Sequence, residues 1–131
     1  MTIAFTRHCV GCPMSPDHSM RQVRVLGDGC AALSLAARAD ELAGHRLTLV
    51  RPQGAPQETD HIWGFWDGPN LAAASRLARK RWHSWSIVTR RGKAVLRSQE
   101  RPYTALHRLD WTAHCREAAS RAGVAILTGG E

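Results

Sequence analysis

The chain has 131 residues, 44% of them apolar and 22% charged, a balance that fits one globular domain and excludes a disordered or fibrous polymer. No apolar run is long enough to cross a bilayer and the N-terminus lacks the shape of a secretory signal, so the expectation is a cytoplasmic protein. The net charge of +7 comes from 18 Lys and Arg against 11 Asp and Glu, and it is concentrated: Arg76 to Arg101 holds nine basic side chains and one acid, Glu100.

Residues 1–19 differ from the rest, with two prolines, two cysteines and no periodic apolar pattern. The Cys9-Val-Gly-Cys12 spacing is that of zinc and redox sites, and His8 and His18 stand near it. A structural zinc site usually brings a second matching pair, which is missing, and Pro13 follows Cys12 where haem attachment needs His. The expectation is therefore a loose or non-native tail over 1–19, with Met20 opening the domain proper, 20–131. Cys30 and Cys115 lie among apolar helical residues and are expected to pack as small hydrophobes.

From Val23 the elements follow in order. Val23 to Leu26 reads as a short buried strand, Cys30 to Ala39 as an Ala- and Leu-rich helix, and Arg46 to Val50 as a second strand. Pro52, Gly54 and Pro56 make the next stretch a loop. After the aromatic run His61-Ile-Trp-Gly-Phe-Trp-Asp, Leu71 to Arg81 reads as a helix with Asn70 as its N-cap. Trp82 to Thr89 and Lys93 to Arg97 read as strands around a turn at Arg90-Arg91-Gly92. Thr104 to Ala122 reads as a long helix whose apolar stripe is Trp111, Cys115, Ala118 and Ala122, ended by Gly123 in a left-handed cap, before a last strand from Val124.

Between the first strand and the first helix stands Gly27-Asp-Gly-Cys-Ala-Ala, a G-x-G-x-x-A motif in a strand–turn–helix–strand setting. Gly27 would make the tight turn, Gly29 would let backbone approach a pyrophosphate, and Ala32 would let the helix pack on the sheet. The end of the second strand usually carries an acid for the ribose hydroxyls; here it carries Arg51, and the next acid in sequence is Glu58. An arginine there suits a 2′-phosphate, as in NADP sites, or marks a lost contact.

The stretch Val25 to Arg38 resembles the start of many flavoproteins, and His61-Ile-Trp-Gly-Phe-Trp-Asp resembles the His-Thr-Trp-Ser-Phe segment of the bacterial lycopene β-cyclase family. Arg81-Trp82, the basic hairpin, Tyr103 and Gly123-Val124 follow in that family's order, so the resemblance covers Met20 to the C-terminus. It implies an α/β fold: a partial Rossmann-like FAD/NAD(P)-binding domain with a small antiparallel hairpin inserted. It implies a role in carotenoid synthesis, where reduced FAD supports cyclisation of lycopene ends without net redox change and NADPH serves as reductant. By position, Gly27, Gly29, Ala32, Arg51 and His61 would bind the cofactor, and Trp63, Phe65 and Trp66 would lie near the flavin or the polyene. Such enzymes are considerably longer. The chain corresponds to their N-terminal FAD-binding portion, not competent for catalysis alone, and a complementary C-terminal chain would complete it.

Two further readings concern the basic segment Arg76–Arg101. It could hold a peripheral protein against anionic lipids, which suits a membrane-borne carotenoid. As the alternative to a flavoprotein fragment, it could serve a non-catalytic nucleotide- or nucleic-acid-binding module, with Trp82 and Trp85 stacking on bases. A plain solvated face is the simpler reading of such charge.

Overall fold

A computed structural model describes residues 20–129. The expected tail at 1–19, with Cys9, Cys12, His8 and His18, lies outside the described residues.

The first strand, β1 (Arg21–Leu26), runs into the glycine turn, and α1 (Cys30–Ala36) follows. The helix stops at Ala36, three residues short of expectation, and the chain makes a 3-10 turn at Ala39–Glu41 before β2 (His45–Arg51). β2 pairs in parallel with β1 on one side and with the last strand, β8 (Ala125–Thr128), on the other. The sheet order β1-β2-β8 puts the second strand in the middle, the arrangement of a dinucleotide-binding half-sheet.

The connection from β2 to β8 carries a second sheet. The aromatic run forms β3 (Ile62–Trp66), which pairs antiparallel with β7 (Tyr103–His107), and β7 also pairs with the short β4 (Lys80–Trp82). Between β4 and β7 stands the expected hairpin, β5 (Ser84–Thr89) and β6 (Gly92–Arg97), closed by Gly92 at φ 150°; its first strand begins at Ser84 and not at Trp82, which pairs with Tyr103 in β4.

Two sequence expectations fail here. The helix expected over Leu71–Arg81 shrinks to α2 (Ala72–Arg76), preceded by a 3-10 turn at Pro69–Leu71. Asn70 lies inside that turn, and neither it nor α2 has a side-chain cap. The chain then leaves the helix because the backbone of Arg79 to Trp82 finds partners on β7, beginning with Arg79 N–H on the Ala105 carbonyl at 2.8 Å. Likewise Thr104 to His107 belongs to β7, and the long helix is α3 (Arg108–Arg121). Its buried face is Thr112, Cys115 and Ala119; of the expected stripe Cys115 is buried and Trp111 packs against the core, while Ala118 and Ala122 are only partly buried.

The core lies between the parallel sheet and the two helices. Leu47 and Leu49 from β2 meet Leu33 and Ala36 from α1 and Cys115 and Ala119 from α3. The small residues let both helices come close to the sheet, and Trp111 ties them by donating from Nε1 to Ser34 Oγ at 3.0 Å. Burial pushes the Cys115 thiol up to about 11, so it packs as a neutral hydrophobe, as expected. Cys30 is half-buried. Gly123, at φ 73°, follows α3 as the expected left-handed residue.

The start of α3 is held from outside the helix. Asp60, in the loop before β3, accepts from the His107 ring at 2.7 Å and from the Leu109 backbone N–H at 3.2 Å. The bond to His107 holds the Asp60 carboxyl below its ordinary value of 3.8. A carboxylate with a depressed folded pKa contributes stability that is present above its unfolded pKa and lost as pH falls through the folded one. Asp60→Asn is therefore expected to melt below the parent at neutral pH. The gap should narrow as pH drops below about 4; a gap of constant size across that range would show that the Asp60 charge contributes nothing.

Candidate functional site

The crevice above the carboxyl ends of β1 and β2 is where open α/β sheets place ligands. Gly27 N–H donates to the Val50 carbonyl at 2.7 Å, which carries the β1–β2 ladder into the turn. Gly27 has φ 105°, a left-handed conformation that favours glycine. Leu33 N–H bonds back to the Gly29 carbonyl at 2.9 Å and begins α1. Ala32 packs against the core cluster.

Gly29 is the informative position. Its backbone is extended, at φ −70° and ψ −178°, a conformation open to any residue. A Cβ placed on it would meet no atom within 4 Å. Neither backbone strain nor internal packing calls for a glycine there, and the space in front of it is open. Gly68 has the same extended backbone and open surroundings, so what singles out Gly29 is its place in the turn between β1 and α1.

Arg51 ends β2 and faces the turn. Its guanidinium meets Asp28, between the two motif glycines: Arg51 Nη1 reaches Asp28 Oδ2 at 3.4 Å. Arg116, on α3, reaches the same oxygen at 3.2 Å and also pairs with Glu58. Sequence reasoning singled out neither Asp28 nor Arg116. The contacts join residues 23, 58 and 88 positions apart, and no local pattern signals them.

The aromatic run divides by strand alternation. Trp63 and Phe65 are half-buried and line a cleft of about 330 Å³, with Cys30, Leu71, Leu106 and Trp111. Cys30 directly follows Gly29, so this cleft opens beside the glycine turn. Trp66 faces the other way and is exposed, packing with Tyr103 and Trp85 at ring separations of 4.9 Å. Tyr103 also leans over Gly64, where a Cβ would collide with its hydroxyl. His61 precedes β3 and accepts from Trp63 Nε1 at 2.7 Å. The structure thus groups Trp63 and Phe65 near the turn and sets Trp66 apart from them.

In the basic segment, Arg79 pairs with Asp110 and Arg81 lies 3.9 Å from Asp67. Arg90, Arg91, Lys93 and Arg97 stand exposed on the hairpin beside exposed Ile87, Val88, Val95 and Leu96. Trp85 packs on Trp66 and Trp82 on Tyr103 at tilted angles, so both rings expected to stack on bases already have ring partners, and the nucleic-acid alternative has no support in this geometry. Among the described residues no group of His, Cys, Asp and Glu could hold a metal ion, and no helix is long and apolar enough to cross a membrane.

The strand order and the glycine turn define a partial Rossmann-like α/β fold, with a second, antiparallel sheet and a hairpin inserted between β2 and β8. Solved structures share it. The tetrameric form of 2-methyl-3-hydroxypyridine-5-carboxylic acid oxygenase superposes with a TM-score of 0.63 at 17% identity, over 86% of this chain and 32% of that one. CtdE in complex with FAD and substrate 4 gives 0.60 at 19%, over 85% and 30%. A geranylgeranyl bacteriochlorophyll reductase-like protein from Thermoplasma acidophilum gives 0.54 at 19%, over 84% and 30%. The chain spans about a third of the length of these proteins. No protein-family model and no curated protein sequence matches it.

Proposed function

We propose that the chain is the FAD-binding portion of a flavin-dependent enzyme. The observation that carries the reading is the glycine turn between β1 and α1 of the parallel sheet, with open space before the exposed Gly29. Gly27 and Gly29 would receive the pyrophosphate and Ala32 keeps α1 against the sheet. Trp63 and Phe65 would flank the isoalloxazine side, and Arg51, with its neighbours, would face the adenosine side. Bound FAD would supply redox chemistry, or the electron-rich reduced flavin that supports a cyclisation. This chain's own share is to bind and orient it.

Within that class the sequence favours a lycopene-cyclase-like enzyme acting on a carotenoid, with NADPH as reductant. The support is the aromatic run His61–Asp67 and the order of Arg81-Trp82, hairpin, Tyr103 and Gly123-Val124. Catalysis would need the remainder of such an enzyme, as further sequence or as a partner chain. The test is a titration of FAD into the purified chain, read by flavin absorbance and fluorescence. Saturable one-to-one uptake is expected; no uptake under any buffer condition removes the reading.

The hairpin supports a second role for the same protein. Its cationic turn and apolar shoulders fit the headgroup region of an anionic membrane. Co-sedimentation with phosphatidylglycerol vesicles, and not with phosphatidylcholine vesicles, is the expected result; equal recovery with both would count against it.

A further inference from the structure

The crevice holds a cluster that the glycine motif does not explain. Asp28 Oδ2 receives two guanidinium groups, Arg51 Nη1 at 3.4 Å and Arg116 Nη2 at 3.2 Å. Arg116 also pairs with Glu58 Oε1, and Arg51 Nη2 donates to the Pro56 carbonyl at 3.3 Å. Turn, strand end, loop and helix each contribute one charged member.

The two carboxylates are not held alike. Glu58 is gripped closely by Arg116 and also accepts from Thr112 Oγ1 at 3.5 Å. Asp28 shares a single oxygen between both arginines, at distances well beyond the roughly 2.7–2.9 Å of a good charge-assisted bond. A guanidinium presents a fork of parallel donors, and a phosphate offers several oxygens to it where Asp28 offers one. The side chains of Arg51 and Arg116 are 29% and 31% exposed, against 13% for Asp28, so a solute can reach both cations. The open face of Gly29 adjoins the same turn.

We propose that Arg51 and Arg116 form a phosphoryl-binding pair, and that Asp28 is its built-in counter-ion, displaced when a phosphate or pyrophosphate group of a nucleotide binds. The proposal rests on the dinucleotide reading of the turn and adds what sets affinity there. A ligand must first replace a tethered carboxylate and then share the crevice with its negative charge. Asp28 therefore weakens nucleotide binding, and Arg116 supplies a contact that comes from α3 and not from the motif.

The test uses inorganic pyrophosphate and FAD as separate probes, titrated calorimetrically into the parent chain, Asp28→Asn and the double variant Asp28→Asn/Arg116→Gln. Asp28→Asn is nearly isosteric; Asp28→Ser serves if the amide prevents folding. Pyrophosphate affinity is expected to rise about tenfold in Asp28→Asn and to lose that gain in the double variant. An unchanged or weaker affinity in Asp28→Asn, or a gain that survives loss of Arg116, overturns the proposal. If FAD binds the parent and the variants equally while pyrophosphate gains nothing, the Asp28 proposal fails and the flavin reading stands. If pyrophosphate gains while FAD binds none of the three, the phosphoryl pair stands and the flavin reading fails.

Discussion

Replacing Leu49 with alanine is expected to cost about 3 kcal/mol of folding stability, read from the shift of a urea unfolding curve. Leu49 is fully buried in the middle strand of the parallel sheet, in register with Val25 on β1 and Ile126 on β8. Its cover is Leu33 from α1 with Cys115 and Ala119 from α3. The alanine and cysteine are too small to fill a vacated leucine volume, so the cavity term adds to the lost transfer energy. Domains of this size have about 5–15 kcal/mol in total, so the loss is a large fraction of the whole. Ile87→Ala, on the half-exposed hairpin, should lose under about 1 kcal/mol by the same measurement. Equal losses at the two positions would place the core elsewhere.

The second large effect is on binding. Gly29→Val should leave stability within about 1 kcal/mol of the parent, because valine accepts an extended backbone and its side chain enters open space. FAD affinity should fall about a hundredfold, since the same side chain occupies the approach to the turn. Gly27→Val separates the two glycines: at φ 105° a β-branched residue is strained, so that variant should lose stability with or without ligand. If Gly29→Val bound FAD as the parent does, the open space before Gly29 would have another meaning.

What the sequence showed and hid follows from the range of the forces. The strand–turn–helix–strand from Val23 to Arg51 was legible because the glycine spacing and the β-branched run are local signals. β7 was not. Thr104, Ala105 and Leu106 are all buried, so the strand shows no alternation, and its apolar run joins the phase of α3 without a break. α2 is shorter than its sequence suggests: Ala72, Ala73, Ala74, Leu77 and Ala78 are helix formers, yet the hydrogen bonds offered by β7 decide from Arg79 onward. The candidate site divides the same way. Gly27, Gly29 and Ala32 could be read from their spacing. Asp28, Glu58 and Arg116 meet across long separations, and only the packed chain brings them to Arg51.

That the glycine turn is where a dinucleotide sits is tested most directly by amide hydrogen exchange with and without FAD. Slower exchange over Gly27 to Leu33, with residues 84–97 of the hairpin unaffected, is the expected outcome. Protection confined to the hairpin, or no change at the turn with FAD saturating, would contradict it.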